Sequence, residues 1–226
     1  MTYNELKLSR PINKGRLALD LAIHEVDNDI IIINYPGLGE DLNGPRNRYL
    51  NLANHLQESG MGTIVRMGNI PDIRLGNSKR MRDNLRFTID YCLSLSETPR
   101  LYLMGLSAGA SSIASIASDY PSIEKILLIA PSEDVGRRNI EDGLRGYSGE
   151  IYFTTGDSDE IADPANVREF FEIARKSKKK EFRIIPKCNH DFPGRDNSMI
   201  MSKAPFWAFN GDDSFPSPEG GKVLYD

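Results

Sequence analysis

Three separated stretches carry side chains suited to nucleophilic chemistry. The first is Gly105-Leu106-Ser107-Ala108-Gly109, a serine between two glycines. It follows the apolar run Leu101–Met104 and precedes a run of small residues. A serine at this spacing between a buried strand and a helix is a nucleophile elbow, in which a tight turn leaves the hydroxyl exposed at its tip. A serine hydroxyl is a weak nucleophile at neutral pH, so it needs a base, and the base needs an orienting carboxylate. His190 is the expected base, because it stands in a polar loop just beyond the strand Phe182–Ile185. The other two histidines are less well placed: His55 sits within a helical pattern, and His24 falls on the more polar register of a strand, where a surface position is expected. The segment Gly156–Asp163 offers the orienting acid as Asp157, Asp159, Glu160 or Asp163, of which Asp163 also suits a helix cap ahead of Pro164.

Acyl transfer further requires two preorganised N–H donors for the oxyanion. Ala108, at the start of the helix after the serine, is one candidate. The Gly-rich loop after Ile30–Ile33 supplies the other, with Leu38 the expected residue. Gly37-Leu38-Gly39 does not continue into a dinucleotide-binding fingerprint, because Asp41-Leu42 stands where its third glycine would be needed.

The elements around these residues alternate. Residues 5–9 and 16–25 read as extended segments joined by a turn at Pro11–Gly15. Leu17, Leu19, Leu21 and Ile23 repeat with the period of two expected of a half-buried strand. Ile30–Ile33 is continuously β-branched, as in a parallel strand covered on both faces. Further strands are expected at Thr63–Met67, Leu101–Met104, Lys125–Ala130, Ile151–Thr155 and Phe182–Ile185. Between them, Tyr49, Leu52, Ala53 and Leu56 mark one helix face, as do Met81, Leu85, Ile89 and Cys92 behind a Ser78 cap, and Val167, Phe170, Phe171 and Ala174. Residues 68–77 read as a loop, and 132–149 hold at most a short helix. This order predicts an α/β protein with a mostly parallel sheet of about eight strands and helices on both faces. The whole of 1–226 reads as one domain. The tail 196–226 is mixed: Met199–Met201 and Phe206–Phe209 are apolar enough to dock, whereas 210–221 reads as irregular or disordered.

Composition narrows the function classes. Charged residues make up 27% and the net charge is −4, so nucleic acid is not an expected partner. The two cysteines, Cys92 and Cys188, form no disulfide framework and read as small buried hydrophobes. No apolar run reaches membrane-span length and the N-terminus lacks a signal-peptide pattern, so the expected location is the cytoplasm.

With these residues in place, the chain resembles the α/β-hydrolase family from about residue 16 to 195. The elbow matches in full, and the order Ser107, acid, His190 is the family's order. Gly156-Asp-Ser-Asp159 is similar to the family's acid loop, where the acid commonly falls three residues after a glycine. The resemblance therefore favours Asp159 over Asp157. Asn189-His-Asp-Phe192 is similar to its histidine loop. The chain departs from the family in four places, the first being Arg66-Met-Gly-Asn-Ile-Pro71, which stands where Asp-x-x-Gly-x-Gly-x-Ser is frequent after the fourth strand. Tyr35-Pro-Gly37 replaces the frequent His-Gly, residues 131–150 are too short for a helical cap, and the C-terminal helix is poorly marked.

The resemblance implies a compact, capless serine hydrolase that cleaves a carboxylic ester through an acyl-enzyme, with Ser107, Asp159 and His190 as triad and Leu38 and Ala108 as oxyanion donors. It implies no metal and no organic cofactor. The expected substrate is a small-molecule or carrier-bound acyl compound. Thioesterase and acyltransferase chemistry would use the same parts, and a non-catalytic ligand-binding or interaction module is the reading from a different class. Dehalogenase and epoxide-hydrolase relatives usually carry Asp where Ser107 stands.

Overall fold

The sheet that carries the site has eight strands. In the computed structural model, which describes residues 2–12, 15–68, 78–95 and 99–226, they are β1 (Asn4–Ile12), β2 (Gly15–His24), β3 (Ile30–Tyr35), β4 (Thr63–Met67), β5 (Arg100–Leu106), β6 (Ile123–Ile129), β7 (Glu150–Gly156) and β8 (Lys179–Ile185). Their order across the sheet is β1-β2-β4-β3-β5-β6-β7-β8. β1 pairs antiparallel with β2, and β2 with β4; every later pairing is parallel. The turn expected at 11–15 and the loop expected at 68–77 fall partly on residues 13–14 and 69–77, which lie outside the described residues, as does the Ser78 side chain proposed as a cap.

Among the described residues there are six α-helices, the first five between strands and the last after β8: α1 (Arg48–Glu58), α2 (Ser78–Leu93), α3 (Ala108–Ile116), α4 (Arg137–Gly146), α5 (Pro164–Ile173) and α6 (Gly194–Pro205). α2, α3, α4 and α5 pack in succession on one face. α1 and the C-terminal segment share the other: the His55 and Phe206 rings lie 5.1 Å apart, and Asn51 donates to the Leu224 carbonyl at 2.6 Å. Only α4 intervenes between β6 and β7, so among the described residues no cap domain is inserted there.

α3 is the most deeply buried helix. Ala108–Ala114 are all buried, which their small side chains permit. α4 presses on it so closely that a Cβ at Gly143 would come within 2.1 Å of the Ala114 carbonyl oxygen. The central strands supply Ile32, Ile33, Leu103, Leu127, Leu128 and Phe153 at the heart of the core. Both cysteines are buried and free.

Two features differ from the sequence reading. His24 is not at the surface but fully buried, because both faces of β2 are covered at that end. The Tyr3 ring stacks on it at 4.7 Å, and Arg66 of β4 donates from Nε to its Nε2 at 3.0 Å. Burial and the neighbouring Arg66 charge push its pKa down to about 4. The tail of uncertain structure contains α6 and a π-helical turn at Phe206–Asn210. Trp207 stacks on Phe215 at 4.7 Å, and residues beyond 210 run without helix or strand. Ser198 and Ser202 of α6 hold that final segment by accepting the backbone N–H groups of Leu224, Tyr225 and Lys222.

Candidate active site

The elbow is built by close packing of backbone on backbone. Ser107 joins β5 to α3 with φ 53° and ψ −123°, a conformation that side chains rarely adopt. A Cβ at Gly105 would come within 2.8 Å of the Ala110 nitrogen, and one at Gly109 within 2.4 Å of the Tyr35 and Pro36 carbonyl oxygens. Both positions therefore require glycine. The Ser107 N–H is fixed by the Ile129 carbonyl at 2.9 Å, and Ser107 is 8% exposed.

His190 stands in the loop after β8, where its Nε2 lies 2.9 Å from Ser107 Oγ. Its Nδ1 lies 3.0 and 2.9 Å from the two carboxylate oxygens of Asp159. The loop is shaped by Phe192, whose N–H donates to the Asn189 carbonyl at 3.2 Å and whose φ is 52°. The hydroxyl of Tyr225 in turn donates to the Phe192 carbonyl at 2.8 Å.

Asp159 is 3% exposed and well partnered. Its Oδ1 accepts the backbone N–H groups of Ile161 and Ala162 at 3.0 and 2.7 Å, and its Oδ2 the Thr155 hydroxyl at 3.3 Å. Burial pushes its pKa up, but the His190 and backbone hydrogen bonds outweigh that and hold it below the usual carboxylate range. The other acids are placed elsewhere. Asp163 caps α5 by accepting the Ala165 N–H at 2.7 Å. Asp157 accepts from the Ser158 hydroxyl at 2.8 Å and lies toward the Cys188 N–H. Glu160 is exposed. The acid and histidine loops are locked edge to edge: a Cβ at Gly156 would reach within 2.0 Å of the Cys188 carbonyl oxygen, which accepts the Ser158 N–H at 3.0 Å.

Ala108 is the first residue of α3, so its N–H has no acceptor within the helix and lies at the positive end of the helix dipole. The loop after β3 passes beside the serine, since a Cβ at Gly37 would come within 3.7 Å of the Ser107 Cβ. There Gly37–Glu40 forms a turn closed by Glu40 N–H to the Gly37 carbonyl at 3.3 Å, with Gly39 at φ 74°. That bond leaves the Leu38 N–H out of the turn. The sequence reading missed what closes this loop: Glu40 accepts from Gly37 N–H at 2.7 Å and also from Arg48 and Tyr49. Tyr49 was legible only as a helix-face residue, and nothing in the spacing ties it to Glu40.

The arrangement can pass a proton from Ser107 Oγ to an imidazole held in one orientation, with backbone donors close by. Among the described residues no group of three or more His, Cys, Asp or Glu is placed to hold a metal ion, and no helix is long and apolar enough to cross a membrane.

No protein-family model matches the sequence, and no curated protein is detectably similar to it. Solved structures are similar in fold. The dienelactone hydrolase from Anabaena variabilis shares 16% identity over 92% of this chain and 99% of its own, with a TM-score of 0.70. An alpha-beta serine hydrolase homologue from Coxiella burnetii shares 20% identity over 83% of this chain and 89% of its own, at 0.64. The esterase domain of a Rhodothermus marinus protein shares 18% over 90% and 95%, also at 0.64.

Proposed function

We propose that this chain, which has the α/β-hydrolase fold, is a serine esterase that cleaves carboxylic esters through an acyl-enzyme. The observation that carries the reading is the continuous line Ser107–His190–Asp159, with both links at hydrogen-bond distance and each residue coming from the end of a different strand. As Ser107 Oγ attacks the acyl carbonyl, its proton passes to His190 Nε2. Asp159 fixes the imidazole through Nδ1 and stabilises the imidazolium. The carbonyl oxygen becomes an oxyanion facing the N–H groups of Ala108 and Leu38. Collapse breaks the bond to the alcohol oxygen, which takes the proton from Nε2 and leaves. Water then loses a proton to Nε2, attacks the acyl-enzyme, and returns Ser107 as its Oγ recovers that proton.

With only α4 between β6 and β7, the site lacks the cover that a cap provides. This favours small acyl esters or acyl groups presented on a larger carrier. Thioesters would pass through the same steps. The test is turnover of p-nitrophenyl butyrate together with labelling by a fluorophosphonate probe. Labelling at Ser107 and loss of turnover in Ser107→Ala support the esterase. A folded protein that neither turns over nor labels is a binding module instead.

A further inference from the structure

Beside the serine lies a carboxyl group that the triad does not use. Glu40 belongs to the loop after β3, and its side chain is largely withdrawn from solvent together with that of Arg48. One carboxyl oxygen accepts the Gly37 N–H at 2.7 Å and the Tyr49 hydroxyl; the other accepts from Arg48 Nη2. The same residue's backbone N–H donates to the Gly37 carbonyl at 3.3 Å. Glu40 thus holds both polar groups of Gly37, one with its backbone and one with its side chain. Arg48 and Tyr49 open α1, so the carboxyl also ties the turn to a helix packed on the sheet.

The consequence falls on Leu38. Gly37 and Glu40 close the turn between them, and Gly39 supplies its positive φ. Its first central N–H, that of Leu38, is fixed in direction without being consumed. A carboxyl group so near a developing oxyanion would by itself disfavour that charge. Pairing with Arg48 removes the penalty while keeping the acceptor. We propose that Glu40 is a positioning residue that sets the Leu38 N–H for the oxyanion, with Arg48 as its neutralising partner. This rests on the esterase reading, because the direction of that N–H matters only if an oxyanion forms.

The experiment compares the wild type with Glu40→Ala, Glu40→Gln and Glu40→Gln/Arg48→Met. It reads kcat and KM on p-nitrophenyl butyrate, the Ki of an alkyl trifluoromethyl ketone, and amide hydrogen exchange across residues 35–41. The ketone forms a tetrahedral oxyanion adduct with a serine and so reports the hole rather than substrate binding. Glu40→Ala is expected to lower kcat about 100-fold with KM within about threefold, and to weaken the ketone by a similar factor. Its 35–41 amides should exchange at least about tenfold faster. The double variant, which keeps an acceptor for Gly37 and leaves no unpaired charge, should recover kcat to within about fivefold of the wild type.

The proposal is overturned if Glu40→Ala keeps kcat and ketone affinity, if its loss lies in KM alone, or if exchange across 35–41 is unchanged. Should Glu40→Ala lose its cooperative thermal transition, the folded double variant decides: recovered kcat supports the proposal and an uncorrected loss overturns it. A wild type that neither labels at Ser107 nor hydrolyses the ester sinks the esterase reading, and the exchange arm still reads whether Glu40 pins the loop.

Discussion

Gly109 lies directly against Tyr35: a Cβ on the glycine would come within 2.4 Å of the Tyr35 carbonyl oxygen. This contact sets the spacing between the serine turn and the loop that starts at Pro36. Gly109→Ala must push the two apart. It is expected to cost about 1–3 kcal/mol in urea denaturation, as overpacking does in close-packed sites, and to lower kcat at least about tenfold. Gly39→Ala is the contrast. Nothing lies within 4 Å of a Cβ there, so only its φ of 74° opposes the substitution. Its expected cost is about 1 kcal/mol.

Asp159 is the acid in contact with His190, and the neighbouring acids are otherwise engaged. Asp159→Asn should lower kcat by about 10³–10⁴, as loss of the orienting carboxylate does in other serine triads. Asp157→Asn should leave kcat within about threefold. Asp163→Ala should cost about 1 kcal/mol of stability, the usual value of a lost helix cap, without lowering kcat. Steady-state kinetics and urea melts on the three variants separate these outcomes.

The depressed pKa of Asp159 also has a stability signature. Its folded-state pKa lies below its unfolded value of about 3.9. Its contribution is therefore complete above that value and is lost as pH falls through the depressed folded value. The stability gap between wild type and Asp159→Asn should be larger at pH 7 than at pH 3, measured by urea midpoints. An equal gap at both pH values would contradict the carboxylate's assigned environment.

His24 acts in a different window. Its pKa falls from 6.5 to about 4 in the folded protein because it is buried beside Arg66. The unfolded chain then binds more protons between those values, so the neutral buried form contributes most above pH 6.5 and its contribution is lost as pH falls toward 4. His24→Gln keeps an acceptor for Arg66 and removes the titration. Between pH 7 and pH 4.5 the wild type should lose about 2 kcal/mol more stability than His24→Gln in urea melts.

Much of the fold was legible because local pattern and final environment agree. The β-branched run Ile30–Ile33 reads as a doubly covered strand and is one, as do the strands around it. Ser107, His190 and the acid-bearing segment Gly156–Asp163 could be singled out because tight turns and strand-end loops leave marks in short stretches of sequence; among the four acids of that segment only the family resemblance favoured Asp159. What was hidden depends on partners distant in the chain. His24 alternates correctly for an exposed position and is buried only because Tyr3 and Arg66 cover it. Glu40 looks like an ordinary loop acid until α1 brings Arg48 and Tyr49 to it. α6 escaped notice because its inward face includes Ser198, Ser202 and Lys203, polar residues that hold the final segment instead of filling an apolar stripe.

The central claim is that His190 activates Ser107. The most direct measurement is the rate of covalent modification by a fluorophosphonate probe, followed by intact mass and peptide mapping, in the wild type and in His190→Ala. The account predicts a single adduct on Ser107 in the wild type and a rate at least about 10³-fold lower in the variant. A wild type that forms no adduct, or a His190→Ala variant that labels at the wild-type rate, would contradict it.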